Sequence, residues 1–191
     1  MKPKETFKIL DSIVGPPLAE LRFAGCKDSN GKYLIWSRPF SRPKYETVSI
    51  QIDKWEWDPW AGAQFRINFG RTSTKGSVVL SRHTATMHDL LNSVELRQVQ
   101  ELQNTVIAKR RLPTRQEYKH HHGQDFTFGL YHLADKESLS KPVKYSIKRF
   151  TDIWLLFIDQ ADVLSWGNFL ASWLPMAIAR NQAEDWSKFG W

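Results

Sequence analysis

Three groups of residues in this chain have the types and spacing to make chemistry or contacts. The first is aromatic. Trp55, Trp57 and Trp60 fall within six residues, interleaved with Glu56, Asp58 and Pro59. Indole rings give a large contact area at small entropic cost and dominate interface hot spots. A connector between two strands lies on the surface, so these rings are expected at the rim of a sheet. With Arg66 and Arg71 they form a candidate binding surface for a protein partner. Being basic, that surface would prefer an acidic partner. The plainer reading has one or two of the rings capping the core. Glu56 and Asp58 could pair as carboxylates, but such pairs are common on surface loops.

The second group is cationic. Arg38, Arg42 and Lys44 lie together, as do Lys109, Arg110 and Arg111, with Arg115 and Lys119 following and Lys141, Lys144, Lys148 and Arg149 further on. Converging cations contact phosphates. Nucleic-acid binding through Arg38, Arg42, Lys44, Lys109, Arg110 and Arg111 is therefore the alternative function. Helix-end charge and solvated loops explain the same residues without a ligand.

The third group is His120, His121 and His122, with Asp125 and His132 nearby. Imidazoles bind zinc or nickel when two or three converge. Adjacent residues in a polar loop do not converge readily on one ion, and no His-x-x-x-His spacing exists. An exposed loop without a metal is expected.

Familiar catalytic patterns do not fit. Gly70-Arg71-Thr72-Ser73-Thr74-Lys75-Gly76-Ser77 has its lysine before the second glycine, so the order of a phosphate loop fails. There is no Gly-x-Ser-x-Gly elbow and no His-Glu-x-x-His. Cys26 sits beside Lys27 in a polar turn, with no histidine placed to activate it. These observations weigh against an enzyme, and no cofactor is expected. A small-molecule enzyme of unknown class is the second alternative. It would need a deep pocket near Cys26 or the histidines.

The elements that must position these residues are read from periodicity. Phe7, Leu10, Ile13 and Val14 recur at helical spacing, and Gly15-Pro16-Pro17 is expected to interrupt them. Leu18 and Leu21 would then belong to a second short helix. Asn30-Gly31 is a hairpin signal. Residues 33–38 read as a strand. Val48, Ile50 and Ile52 alternate with polar neighbours, and so do Phe65, Ile67 and Phe69, which predicts two half-buried strands. Three consecutive strands make a meander the simplest topology. Ser49, Gln51, Arg66 and Asn68 then share the polar face. Asn92 followed by Glu95 is a capping box opening a helix with the stripe Leu96, Val99, Leu102 and Val106. Phe126, Phe128 and Leu130 alternate, as do Val143, Tyr145 and Ile147. Residues 153–158 read as a buried strand or helical turn. Asp159 is expected to cap a last helix with the stripe Val163, Gly167, Leu170, Leu174 and Ala177, kinked or restarted at Pro175. The resulting class is α+β: an antiparallel sheet of three to five strands with helices packed on one face.

The bulk numbers agree with that class. The chain has 191 residues, 41% hydrophobic and 25% charged, and carries a net charge of +7. One domain, 1–191, is expected. A single cysteine excludes an intramolecular disulfide and suits a reducing compartment. The first residues hold no apolar stretch of signal-peptide length. The longest apolar run, Ile153 to Ile158, is far short of a bilayer span. A cytoplasmic protein without a membrane partner is expected.

Two strand motifs also carry a family resemblance. Val48-Ser49-Ile50-Gln51 and Phe65-Arg66-Ile67-Asn68-Phe69-Gly70 resemble the valine-x-x-glutamine and Phe-x-x-Asn-x-Gly strands of an uncharacterised family of small bacterial domains of unknown function. Ile153-Trp154-Leu155 and Asp162 resemble its tryptophan-led segment before a C-terminal helix. The match is firmest over 5–72 and weaker over 92–175, and 114–150 has no counterpart. The resemblance implies a fold and a bacterial cytosolic setting, and it imports no catalytic residues. The expected function is a non-enzymatic binding module, either an adaptor or an antitoxin- or immunity-like neutraliser.

Overall fold

The computed structural model describes residues 3–28, 31–41, 44–53, 57–77, 85–123 and 153–183. The first helix, α1, runs unbroken over Pro3–Glu20, through Pro16 and Pro17. The expected break after Val14 does not occur. An interior proline costs roughly 3 kcal/mol because it removes a helix hydrogen bond and crowds the preceding turn. Leu10, Val14 and Leu18 recur every fourth residue and are fully buried. Each such side chain contributes about 1.5–3 kcal/mol, and the three keep one phase across the proline pair. A helix break would take Leu18 out of that phase. The helix ends after Glu20, with Phe23 N–H donating to Leu18 O and Arg22 N–H to Ala19 O. Arg22 takes the left-handed conformation, φ 66°, that this closing turn requires.

A meander follows as expected. Strands β1 (Ala24–Cys26), β2 (Tyr33–Ser41), β3 (Lys44–Ile52) and β4 (Ala63–Thr72) pair antiparallel in chain order. Two short strands, β5 (Ala85–Thr86) and β6 (Leu155–Phe157), share the far side of β4, one along Asn68–Phe69 and the other along Ala63–Phe65. Among the described residues the sheet therefore has six strands. The open choice at 153–158 resolves as a strand because Leu155 and Phe157 alternate into the core. The alternating segments at 126–130 and 143–147 lie outside the described residues.

Register places Leu34, Trp36, Val48, Ile50, Ile67 and Phe69 on one face. Against it packs helix α5 (Gln160–Ala183), the last among the described residues, through Val163, Trp166, Leu170, Trp173, Leu174 and Ala177. Helix α1 lies along α5. Gly167 lies at this contact, where a Cβ would stand 2.8 Å from Ile13 Cδ1 and displace that side chain's tip. Helix α5 continues through Pro175 without restarting. The short helix α2 (Met87–Leu90) leads into α3 (Ser93–Lys109), which opens with the expected Asn92–Glu95 capping box. The opposite, polar sheet face is also covered in part: Ser37, Thr47, Ser49 and Asn68 are buried. There Gly76 N–H donates to Ser37 Oγ.

Candidate functional site

The described part of the connector from β3 to β4, residues 57–62, does not form an outward rim. Trp60 is 2% exposed, and Trp57 is half-buried against the core with its indole N–H donating to Ile158 O at 2.8 Å. This corrects the expected contact surface at Trp57 and Trp60. Trp55 lies outside the described residues. A large ring is drawn inward when neighbouring elements supply apolar walls and a partner for its N–H. For Trp57 the carbonyl of Ile158, just after β6, is that partner, and a later helix walls Trp60 through Tyr118 and His121.

The turn that carries Trp60 is closed tightly. Asp58 N–H donates to Gly62 O at 3.2 Å and Gly62 N–H returns to Asp58 O at 2.7 Å. Gly62 has φ +79°, and a Cβ there would lie 2.2 Å from Phe157 O. Only glycine permits both that φ and that approach to β6. On the far side, Arg111 N–H donates to Trp60 O at 3.1 Å. The turn is thus held between β6 and the segment after α3.

That segment leads into a helix where a loop was expected. Helix α4 (Arg115–His122) opens with a Thr114–Glu117 capping box and closes at Gly123 in the left-handed conformation. Arg111 pairs with Glu117 at 2.5 Å. The Arg111 guanidinium, helped by Thr114, holds the Glu117 carboxyl down at about 2. On a helix, Tyr118, His121 and His122 stand at i, i+3 and i+4 and share one face. Tyr118 is accordingly buried, 6.2 Å from the Trp60 ring and 4.4 Å from that of His122. His120 points elsewhere and is exposed.

Both of these histidines, His121 exposed and His122 half-buried, reach Asp58. His122 Nε2 is 3.2 Å and His121 Nε2 is 3.7 Å from Asp58 Oδ1. One ligand-type atom from each of the three residues lies within 4.8 Å of the others. The His121 ring meets Trp60 edge-on at 5.3 Å and Trp57 at 6.5 Å. The cues that lead to this cluster were local: Thr-x-x-Glu opening a helix, glycine closing it, and Tyr118, His121 and His122 on one stripe.

The nominated cations separate into two kinds. Arg38 donates through Nε and Nη2 to the buried Glu46 at 2.9 and 2.8 Å, and through Nη1 to Leu21 O. Asn181 and Gln182 of α5 complete the Glu46 carboxylate. Lys109 binds Asp162 at 2.6 Å and Asp159 at 3.0 Å. The Asp162 hydrogen bond, then that from Asp159, holds its ammonium above the usual lysine range against the effect of burial. Arg111 is taken by Glu117. These three are structural. Arg66 is bonded to Gln51 and lies 4.9 Å over the Trp154 ring. Arg42 is outside the described residues.

The other kind sits at the β2–β3 end. A bulge between Pro39 and Ser41 interrupts the register, and Phe40 emerges there, 43% exposed. Bulges re-aim side chains in this way. Arg71 places its guanidinium 4.1 Å over that ring, and Lys44 is exposed beside it at the start of β3. Arg110 lies at the opposite end of the β3–β4 pair, so the two basic groups do not form one stripe. Arg110, Asp53 and Gln64 line a half-open depression of about 160 Å³, below the roughly 300–1,000 Å³ of typical small-molecule pockets. Cys26 lies in β1 opposite Ile35, its thiol 3.5 Å from Ala24 O. Among the described residues no helix is long and apolar enough to cross a membrane. Comparison with protein-family models, with curated proteins and with solved structures finds no match, so the functional reading rests on this geometry.

Proposed function

We propose that the protein is a non-enzymatic cytosolic binding module that docks an acidic protein partner on the β2–β3 end of its sheet. The observation that carries the reading is the bulged Phe40, exposed and overlaid by Arg71. An aromatic ring with a cation on its face pairs contact area with charge, the composition of an interface anchor. Lys44 adds a second exposed cation, and the net charge of +7 favours an acidic surface at long range. The anchor is mounted on two nine-residue strands, tied by Arg38 to the turn after α1 and by Glu46 to α5, so little ordering is needed on binding.

The test starts from a photo-crosslinking residue at position 40, which should capture an acidic protein. With that protein purified, titration calorimetry should show Phe40→Ser and Arg71→Glu each weakening binding about ten-fold or more, roughly 1.4 kcal/mol. Trp57→Phe should leave the affinity alone. Unchanged affinity in both Phe40→Ser and Arg71→Glu would overturn the assignment.

A further inference from the structure

We propose that Asp58, His121 and His122 form a binding site for a divalent transition-metal ion of the zinc and cobalt class. The site is separate from the proposed docking surface and does not depend on it. Two imidazoles and one carboxylate are a donor set such ions use with three protein ligands, leaving a further position for water or an incoming group. Imidazole donors select against calcium and magnesium, which prefer all-oxygen shells.

The geometry is close to what binding needs. Both Nε2 atoms already face the same carboxylate oxygen, at 3.2 and 3.7 Å. Ligand atoms about 2.0–2.1 Å from a tetrahedral ion stand roughly 3.3 Å apart. The three residues span up to 4.8 Å, so side-chain rotations of an ångström or so close the set. The frame is preorganised on both sides. The Asp58 turn is fixed by Gly62 against Phe157 and by Arg111 on Trp60 O. The histidines stand on a helix capped at both ends.

The surroundings also suit an ion. Trp57, Trp60 and Tyr118 crowd the imidazoles from the protein side, which limits their rotamers and lowers the local dielectric. The side chains of Asp58, His122 and His121 remain 19%, 24% and 31% exposed, which gives an ion a path in. Bound metal would join the β3–β4 connector to α4, elements that are far apart in sequence.

The competing reading is an ordinary histidine–carboxylate ion pair. Titration calorimetry with zinc, and cobalt d–d absorption, on the full chain after chelator treatment separate the two. One zinc should bind per chain. Asp58→Asn, His121→Ala and His122→Ala should each weaken binding at least about ten-fold. His120→Ala, on the exposed face of the same helix, should bind as the unaltered chain does. Zinc should raise the melting temperature of the unaltered chain and of His120→Ala, since only an ion bound to the folded state stabilises it. Circular dichroism confirms that each variant is folded, and Asp58→Asn preserves shape where an alanine could disturb the turn. Equal loss in His120→Ala would reveal a disordered histidine tract and overturn the proposal. Absence of zinc and cobalt binding would leave the ion pair and overturn it as well.

Discussion

The two ends of the β3–β4 pair each carry a carboxylate among nitrogen donors, with different outcomes. At one end Glu46 is 1% exposed and surrounded by Arg38, Asn181 and Gln182, all of which only donate hydrogen bonds to it. Arginine is always charged and has no lone pair to offer an ion. That end is closed and serves as a clamp between the turn after α1, the sheet and α5. At the other end Asp58 meets two imidazoles, which can present lone pairs when neutral. That end keeps solvent access, and its donors are the ones the proposed metal site uses. The two carboxylates thus differ both in depth, 1% against 19% exposed, and in the chemistry of their partners.

The largest expected effect tests the closed end. Arg38→Met leaves Glu46 buried without its main cation, which should cost about 3–5 kcal/mol in urea unfolding. Adding Glu46→Leu should recover much of that loss, because the stranded charge is gone. If the single variant unfolds at the same midpoint as the unaltered chain, the clamp is not structural. A medium effect tests the open end. Thr114→Ala removes the cap of α4 and should cost about 1 kcal/mol. It should also increase amide exchange at Tyr118 and His121, while exchange around Glu46 stays as it was.

The smallest effect is a pH dependence at the open end. Arg111 and Thr114 hold Glu117 at about 2, against an ordinary 4.5. A carboxylate depressed on folding contributes stability above its unfolded value and loses it as pH falls through the folded one. The Thr114–Glu117 contact, followed by NMR of the Thr114 amide, should hold above 4.5 and fade on acidification toward about 2. Fading already well above 4.5 would mean that the Arg111 pair does not govern the start of α4.

Legibility differed in the same way between elements. Helix α3 was readable because Asn92, Glu95 and the apolar stripe all act within one or two turns. The meander was readable because alternation in β3 and β4 states which residues share a face. The continuity of α1 was not, since Pro16-Pro17 is a strong local stop that only packing along α5 outweighs. Trp60 and Trp57 were expected outward because a connector normally faces water. Trp57 is held by the carbonyl of Ile158, the residue after β6 and 101 positions away, and Trp60 packs against Tyr118 and His121 of α4. The polar run around the histidines reads as a loop, although Thr114, Glu117 and Gly123 carry the helix signal.

Hydrogen-bonding habit and side-chain periodicity act between near neighbours, so the chain's own order of residues determined its strands, its capped helices and the meander. Which ring turns inward, which cation is neutralised, and which carboxylate meets two imidazoles depend on surfaces brought together from distant segments. Those outcomes are competitions for burial and for partners, and they were decided only when α4, β6 and α5 closed around the sheet.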